Sequence, residues 1–525
     1  WDRQERVLRL VRDRFGEKPL YYGWVGRDFV FGSELKALRA HPQASWEINR
    51  DAVRALAART YIPAPLSIYR GVFKLEPGCI LSIVPEGAAH PRQAPPLVDG
   101  AVENGFKVER YWSYREVVER GLGDPIGDEE SALASLDEVL REVVSDQAMA
   151  DVPVGAFLSG GVDSSTVCAF YQKVSSVPVR TFSIGFAEDG FNEADHARAV
   201  AERLGTVHHE RIVTARDAQD VIPQLPDMYD EPFADSSQIP TYLVSRFARE
   251  QVTVALTGDG GDELFGGYNR HVIAPALWAR LARIPMPVRA LAKPLAALPA
   301  DLWGPLVRHG PRGNGTQRIA KGLAVASTAR SVDDVYLGFL DEWRFEGTPV
   351  AGSSDAASFD LDVPGAPDAI RMMYCDAVSY LPDDILCKVD RASMAVSMET
   401  RVPFLDHRVA EVAARVPLSL KIRGGTGKHI LRELLYRHAP RDLFDRPKAG
   451  FAVPVGEWLR GPLRAWAEEL LDPRRLAAEG WFDAERIDQR WQNHLSGRRD
   501  STPAMWAVLM FQAWLRRQES AEAGH

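Results

Sequence analysis

Apolar and polar residues alternate at the very start, in Val7-Leu8-Arg9-Leu10-Val11, which is the spacing of a half-buried strand. Phe29 to Phe31 reads as the second arm of a hairpin around Gly23 to Asp28. Ser33-Glu34-Leu35-Lys36 opens a short helix, and Asn49 caps another that runs to Arg59. Gly78 to Val84 predicts a further strand, whereas Pro85 to Asn104, rich in Pro, Gly, Ala and polar residues, predicts a loop or linker. From Asp128 to Ala150 the period becomes helical, with Leu133, Leu136, Leu140, Val143 and Val144 on one face. Strand 154–158, helix 164–173, strand 180–185, helix 193–204, strand 207–213, helix 237–249 and strand 251–257 follow. That alternation predicts a parallel sheet covered on both faces. In such a sheet ligands sit outside the carboxyl ends of the strands, where the loops after Leu158, Ile184 and Leu256 lie. Beyond about residue 270 the pattern is almost all helical, and no internal repeat is evident.

The strand ending at Leu158 runs into Ser159-Gly160-Gly161-Val162-Asp163-Ser164-Ser165. The glycines permit a sharp turn and bring no bulk between backbone and ligand, and Ser164 and Ser165 read as helix caps. A strand feeding a helix through such a turn aims backbone N–H groups and the positive end of the helix dipole at one point, which suits a phosphate. Asp163 inside the turn would repel that phosphate unless a hard divalent cation joined them, so Mg²⁺ is expected. A lone Ser-Gly-Gly would be ordinary turn geometry. The full string is not a Walker A loop, because no Gly-Lys-Ser/Thr follows. It resembles the PP-loop of ATP pyrophosphatases, which split ATP between its α and β phosphates and adenylate a substrate.

A second glycine-rich turn, Leu256-Thr257-Gly258-Asp259-Gly260-Gly261-Asp262-Glu263-Leu264-Phe265-Gly266-Gly267-Tyr268, crowds Asp259, Asp262 and Glu263 together. Those carboxylates need a cation or hydrogen-bond donors nearby, and the spacing is not that of an EF-hand loop. Asp235-Ser236-Ser237 precedes a helix that either serine could cap. A helix is expected to start after Pro382, with Asp384, Lys388 and Arg391 on one face and Ile385, Val389, Ala392 and Val396 packing on another. Spacing alone favours a solvated salt-bridge face for the polar stripe. Glu399 to Asp406 reads as a buried corner or the wall of a substrate pocket. Lys428 and Arg432 share a helical face and suit a pyrophosphate, although surface helices often carry such pairs. Arg446 to Pro454 is a basic loop placed like a lid, and His208-His209 reads as part of a strand rather than a metal site.

The chain has 525 residues, too many for one core, so two or more domains are expected. A formal charge of -9 offers no electrostatic case for nucleic acid or an anionic membrane as partner. Four scattered cysteines indicate neither a zinc site nor a disulfide framework and fit a reducing cytoplasm. No apolar run approaches a membrane span.

Taken together these motifs resemble the glutamine-dependent asparagine synthetase family, the second loop being most like its bacterial branch. Arg12-Asp13-Arg14-Phe15-Gly16-Glu17-Lys18-Pro19-Leu20-Tyr21-Tyr22 is similar to the later part of that family's glutaminase domain. The resemblance implies an α/β protein: a remnant of an antiparallel-β class II glutamine amidotransferase domain with linker over residues 1–120, then a PP-loop synthetase domain over 121–525 with a helical C-terminal part. It implies ATP-dependent amidation of aspartate through an aspartyl adenylate, with ammonia supplied from glutamine. It implies that Leu158, Ile184, Thr257 and Gly258 line the AMP site and that Ser159, Gly160, Gly161, Asp163 and Ser164 form the pyrophosphate loop. Asp163 and Asp262 would hold Mg²⁺, Lys428 would neutralise phosphate charge, and Asp259 would stand near the intermediate, where much of the family has glutamate. Amidation of another carboxylate, in peptide, polysaccharide or β-lactam tailoring, stays open, as do a homodimer and the roles of Asp384, Lys388, Arg391 and Glu399. The family's N-terminal nucleophilic cysteine would lie upstream of Trp1, so the expectation is a chain that lacks the residues for releasing ammonia from glutamine.

Overall fold

A computed structural model describes residues 1–186, 194–293, 315–354, 359, 361–445 and 453–523. The first part is two antiparallel three-stranded sheets. Strand β1 (Leu8–Val11) pairs with β5 (Cys79–Ile83), which pairs with β6 (Phe106–Arg110). The other sheet places β2 (Tyr21–Val25) between β3 (Asp28–Gly32) and β4 (Val72–Lys74). Side chains alternate across a strand. Tyr22 and Trp24 of β2 therefore join Leu10, Phe73, Leu81, Phe106 and Val108 in a core between the sheets, while Tyr21 belongs to a different core. The hairpin turn is tighter than expected: Val25 pairs with Asp28, so Gly23 lies inside a strand. Asn49 caps the helix Arg50–Arg59, its side chain accepting from the Asp51 N–H. The segment 85–104 is largely irregular, with one short helix at Pro85–Ala88.

The central sheet has five parallel strands in the order β11-β10-β7-β8-β9. They are β7 (Val154–Phe157), β8 (Arg180–Phe186), β9 (Val207–Val213), β10 (Val254–Leu256) and β11 (Glu399–Arg401). The helix Glu129–Ala148, capped by Asp128, buries Leu133, Leu136, Leu140, Val143 and Val144 as its period requires. The chain runs outward from β7 to β8 and β9, then returns to the other side of β7 with β10. Loops leaving β7 and β10 in opposite directions leave a crevice at the carboxyl ends of the strands, the usual ligand site of such sheets. Strand β11 makes Glu399–Arg401 an edge of the sheet, and the buried Phe404 and Leu405 beyond it form a packed corner.

Three helical expectations change. The helix after β7 begins at Val162 with Gly161 at its N-cap, so Ser164 and Ser165 sit within its first turn. Pro382 does not open a helix: Asp376–Leu386 is π-helical and runs unbroken from the helix Asp368–Cys375 into the helix Cys387–Met394. A proline inside a helix costs a backbone hydrogen bond and crowds the preceding turn, and the wider π turn accommodates it. The stripe of Asp384, Lys388 and Arg391 is buried rather than solvated. Arg391 donates to Ser33 O, and the Asp383 carboxylate accepts from the Ala64 N–H at 2.7 Å, so this helix supports the N-terminal sheets. Among the described residues no helix is long and apolar enough to cross a membrane, and the four cysteines are free and buried.

Candidate active site

Two glycine loops meet at the crevice between β7 and β10. Gly258 lies against the backbone of the first loop: a Cβ there would come within 2.6 Å of Ser164 N and 2.8 Å of Asp163 C. Side chains at Gly261 and Gly267 would strike the carboxylates of Asp163 and Asp262, respectively. Gly160 and Gly260 take φ of +71° and +86°, the left-handed conformation that glycine adopts without strain. The glycines thus let two acidic loops close on each other.

A cavity of about 550 Å³ opens there. Leu158, Ile184, Thr257 and Gly258 line it, as do Ser159, Gly160, Gly161, Asp163 and Ser164, Asp259, Asp262 and Lys428. The residues to which the resemblance gave a role are therefore brought to one place. In the first loop the hydroxyls of Ser159 and Ser164 lie 3.0 Å apart; Ser164 Oγ accepts from the Ser159 N–H at 3.2 Å and Ser159 Oγ from the Gly161 N–H at 3.3 Å. Two backbone donors expected to point at phosphate thus rest on hydroxyls, which a stronger anionic acceptor can displace.

Lys428 departs from its expected setting. It is not inside the helix with Arg432 but at the N-cap of the helix His429–Leu435, with φ of +58°. From there its ammonium bonds Asp163 and reaches Asp262 Oδ1 at 2.7 Å. Against the downward pull of burial, Asp163 and Asp262 hold the ammonium charged, its pKa above the ordinary lysine value. Burial pushes the Asp259 carboxyl up while Lys388 draws it back. Burial, and then Asp262, lift Glu263 to about 8, and the Tyr268 hydroxyl donates to Glu263 Oε1 at 2.7 Å.

Mg²⁺ is implied by the resemblance, and the residues fit it. Asp163 and Asp262 are hard oxygen donors gathered around a single cation, in a cradle that a side chain at Gly261 or Gly267 would fill. Among the described residues no group of three His, Cys, Asp or Glu is placed to hold a metal ion by itself. This suits a cation that completes its shell with water and phosphate oxygens.

Sequence reasoning left the pocket roles of Lys388, Glu263, Tyr268, Thr241 and Val244 unassigned, yet all five line the cavity. The glycine-rich turn contains Glu263 and Tyr268, so those were within reach; Lys388 stood in a polar stripe read as solvated, and nothing local marks Thr241 and Val244. Most of the proposed lid, residues 446–452, lies outside the described residues. His208 sits in β9 near the Thr181 and Ser183 hydroxyls, at 2.9 and 3.1 Å, as a strand residue.

Residues 135–516 match the asparagine synthase family and residues 1–93 a glutamine amidotransferase domain. Asparagine synthetase [glutamine-hydrolyzing] 1 of Bacillus subtilis is 29% identical, the alignment covering 98% of this chain and 76% of that protein. A putative asparagine synthetase of Mycobacterium bovis is 32% identical over 98% of this chain and 75% of its own length. The amidase chyE of Penicillium rubens is 26% identical over 97% and 78%. With the first match spanning most of its length, the chain belongs to the asparagine synthase family of carbon–nitrogen ligases.

Proposed function

We propose that this chain adenylates the side-chain carboxylate of aspartate with ATP and amidates the intermediate to asparagine, the complete enzyme drawing ammonia from glutamine. A carboxylate is a poor acyl donor. Its oxygen attacks the α-phosphate, the bond to the β-phosphate oxygen breaks, and pyrophosphate leaves; ammonia then attacks the acyl carbon and AMP departs. The observation that carries this reading is the Lys428 ammonium lying between Asp163 and Asp262 at the mouth of a glycine phosphate loop.

Leu158, Ile184, Thr257 and Gly258 are assigned to hold AMP, and the Ser159–Ser164 loop to cradle pyrophosphate. Lys428 would turn from its carboxylates to the phosphates as charge builds on the leaving group, where a prepositioned cation has most effect. Asp163 and Asp262 would hold Mg²⁺. Bound there, the ion would offset phosphate charge as a Lewis acid. Asp259 is assigned to face the intermediate and accept a proton from the attacking ammonia. Residues 1–120 are assigned to the amidotransferase part and 121–525 to the synthetase, a boundary supported by the gap between the two matched regions. We place the reaction in the cytoplasm, where four free thiols stay reduced.

A second reading, amidation of a different carboxylate, is favoured by the match to a fungal amidase along nearly the whole chain. ATP–pyrophosphate exchange with a panel of carboxylates tests both. Exchange that depends on aspartate is expected. Exchange with another carboxylate but not aspartate would replace the first reading with the second, and no exchange with any would refute adenylation.

A further inference from the structure

The cavity has a second buried cation, carried by a different element. Lys388, on the helix Cys387–Met394, lines the cavity together with Thr241 and Val244 of the helix Gln238–Arg249. Its ammonium donates to Asp235 Oδ2 and to Ser237 Oγ, each at 2.8 Å. Ser237 fixes that carboxylate in turn, donating to Asp235 Oδ1 from its N–H at 2.8 Å and its hydroxyl at 2.7 Å. An ammonium has three donors, and these are the two hydrogen-bond partners of the Lys388 ammonium among the described residues. The two lysines also act on different acids. Lys428 acts on Asp163 and Asp262, whereas Lys388 acts on Asp235, Asp384 and Asp259.

The cavity is therefore polarised. The phosphate loop and Lys428 make one pole. The other is an ammonium held by a rigid Asp-Ser brace, beside the carboxyl groups of Asp235 and Asp259. A ligand matching that pole carries a carboxylate for Lys388 and an ammonium for the acids, which is the zwitterionic head of a free amino acid. Its side-chain carboxylate would extend toward the other pole. A peptide-bound or sugar acid lacks that head, and its entry would leave Lys388 short of an acceptor in a buried site.

We infer that Lys388, braced by Asp235 and Ser237, receives the α-carboxylate of the acyl substrate and so restricts this site to free amino dicarboxylates. This rests on the adenylation reading and narrows it. Asp235 and Ser237 are positioning residues; Lys388 is a specificity-determining one.

The test is ATP–pyrophosphate exchange by the 525-residue chain and its Lys388→Met variant. The substrates are aspartate and 3-aminopropanoate, which is aspartate without its α-carboxylate. In the variant the KM for aspartate should rise on the order of 30-fold or more, the loss typical of removing one partner of a buried charged hydrogen bond. The KM for ATP should stay within about threefold, as expected of a residue that engages the acyl substrate and not ATP. The preference for aspartate over 3-aminopropanoate should shrink by the same factor as the aspartate KM rises. Because Lys388→Met leaves Asp235 buried and unpaired, the Lys388→Met/Asp235→Asn double variant, which removes both charges, provides a folded counterpart with the same expected outcome. An unchanged aspartate KM and preference in either folded variant would overturn the inference alone. Absence of exchange with aspartate by the unaltered chain would overturn the adenylation reading and this inference with it.

Discussion

The Lys428 ammonium and Asp262 Oδ1 stand 2.7 Å apart, joining the N-terminus of the helix His429–Leu435 to the short helix Gly261–Phe265 after β10. Lys428 also bonds Asp163, so one cation holds together two loops that would otherwise repel. The Lys428 side chain is 7% exposed and the two carboxylates are 21% and 19% exposed. Lys428→Ala should therefore cost about 2 kcal/mol of stability, below the value for a wholly buried pair because the acids reach water. Adding millimolar Mg²⁺ should recover part of the lost melting temperature. Pyrophosphate release at saturating ATP and aspartate should fall on the order of a hundredfold. A rate within a few-fold of the parent would remove Lys428 from the phosphate-binding role.

Gly258→Ala places a methyl group 2.6 Å from Ser164 N and 2.8 Å from Asp163 C, both backbone atoms that cannot rotate away. The first loop must shift to admit it. The expected result is a loss of pyrophosphate release on the order of a hundredfold, as misplacing catalytic groups by about 1 Å can cause. Circular dichroism should still report the parent's secondary structure. Normal turnover by the folded variant would mean that the two loops need not meet this closely.

Glu231 ties the N-terminal sheets to the synthetase part. Its Oε1 lies 2.5 Å from Lys74 Nζ and accepts from the Tyr21 hydroxyl at 3.3 Å, and its Oε2 accepts from the Ile68 N–H at 3.0 Å. Glu231 and Lys74 are both buried. Glu231→Ala removes the counter-charge of the buried Lys74 ammonium, which keeps the Ile62 carbonyl as an acceptor, and should cost about 3–5 kcal/mol. Protease cutting within residues 1–110 should quicken. Resistance equal to the parent's would show that the sheets are held by apolar packing alone.

Lys421 is 3% exposed, and burial pulls its pKa from 10.5 down to about 7. The folded chain then binds fewer protons than the unfolded one between pH 7 and 10.5, so stability from this group rises with pH across that window and its cost is full below pH 7. Lys421→Met should stabilise the protein at pH 7 by on the order of 3 kcal/mol and gain almost nothing above pH 10.5. Melts at pH 7 and pH 10 check this. A gain of equal size at both would place the effect in packing rather than ionisation.

Local chemistry along the chain determined a good deal. Asn49 and Asp128 cap the helices predicted over those stretches, because a short polar side chain satisfies N–H groups two or three residues on. The β/α alternation from 154 to 257 became a parallel sheet, because period and element length are local signals. The two glycine loops could be read as ligand turns because their glycines and carboxylates are contiguous.

Only the tertiary structure decided where the charged residues went. Asp384, Lys388 and Arg391 share a helical face, and spacing favours water for such a stripe. Lys388 is instead buried against Asp235, 153 positions earlier, and Arg391 against Ser33, 358 positions earlier. Burying a charge is favourable only when a partner offsets its lost hydration, and the helical period says nothing about partners so remote. Strand β11 went unrecognised for the same reason: three residues have too little pattern of their own, and their pairing is set by β10 beside them. Lys428 took a left-handed cap, where its ammonium meets Asp163, 265 residues away. A local pattern can mark which face of an element is polar; whether that face meets water, an acid or a substrate depends on what long-range folding brings opposite.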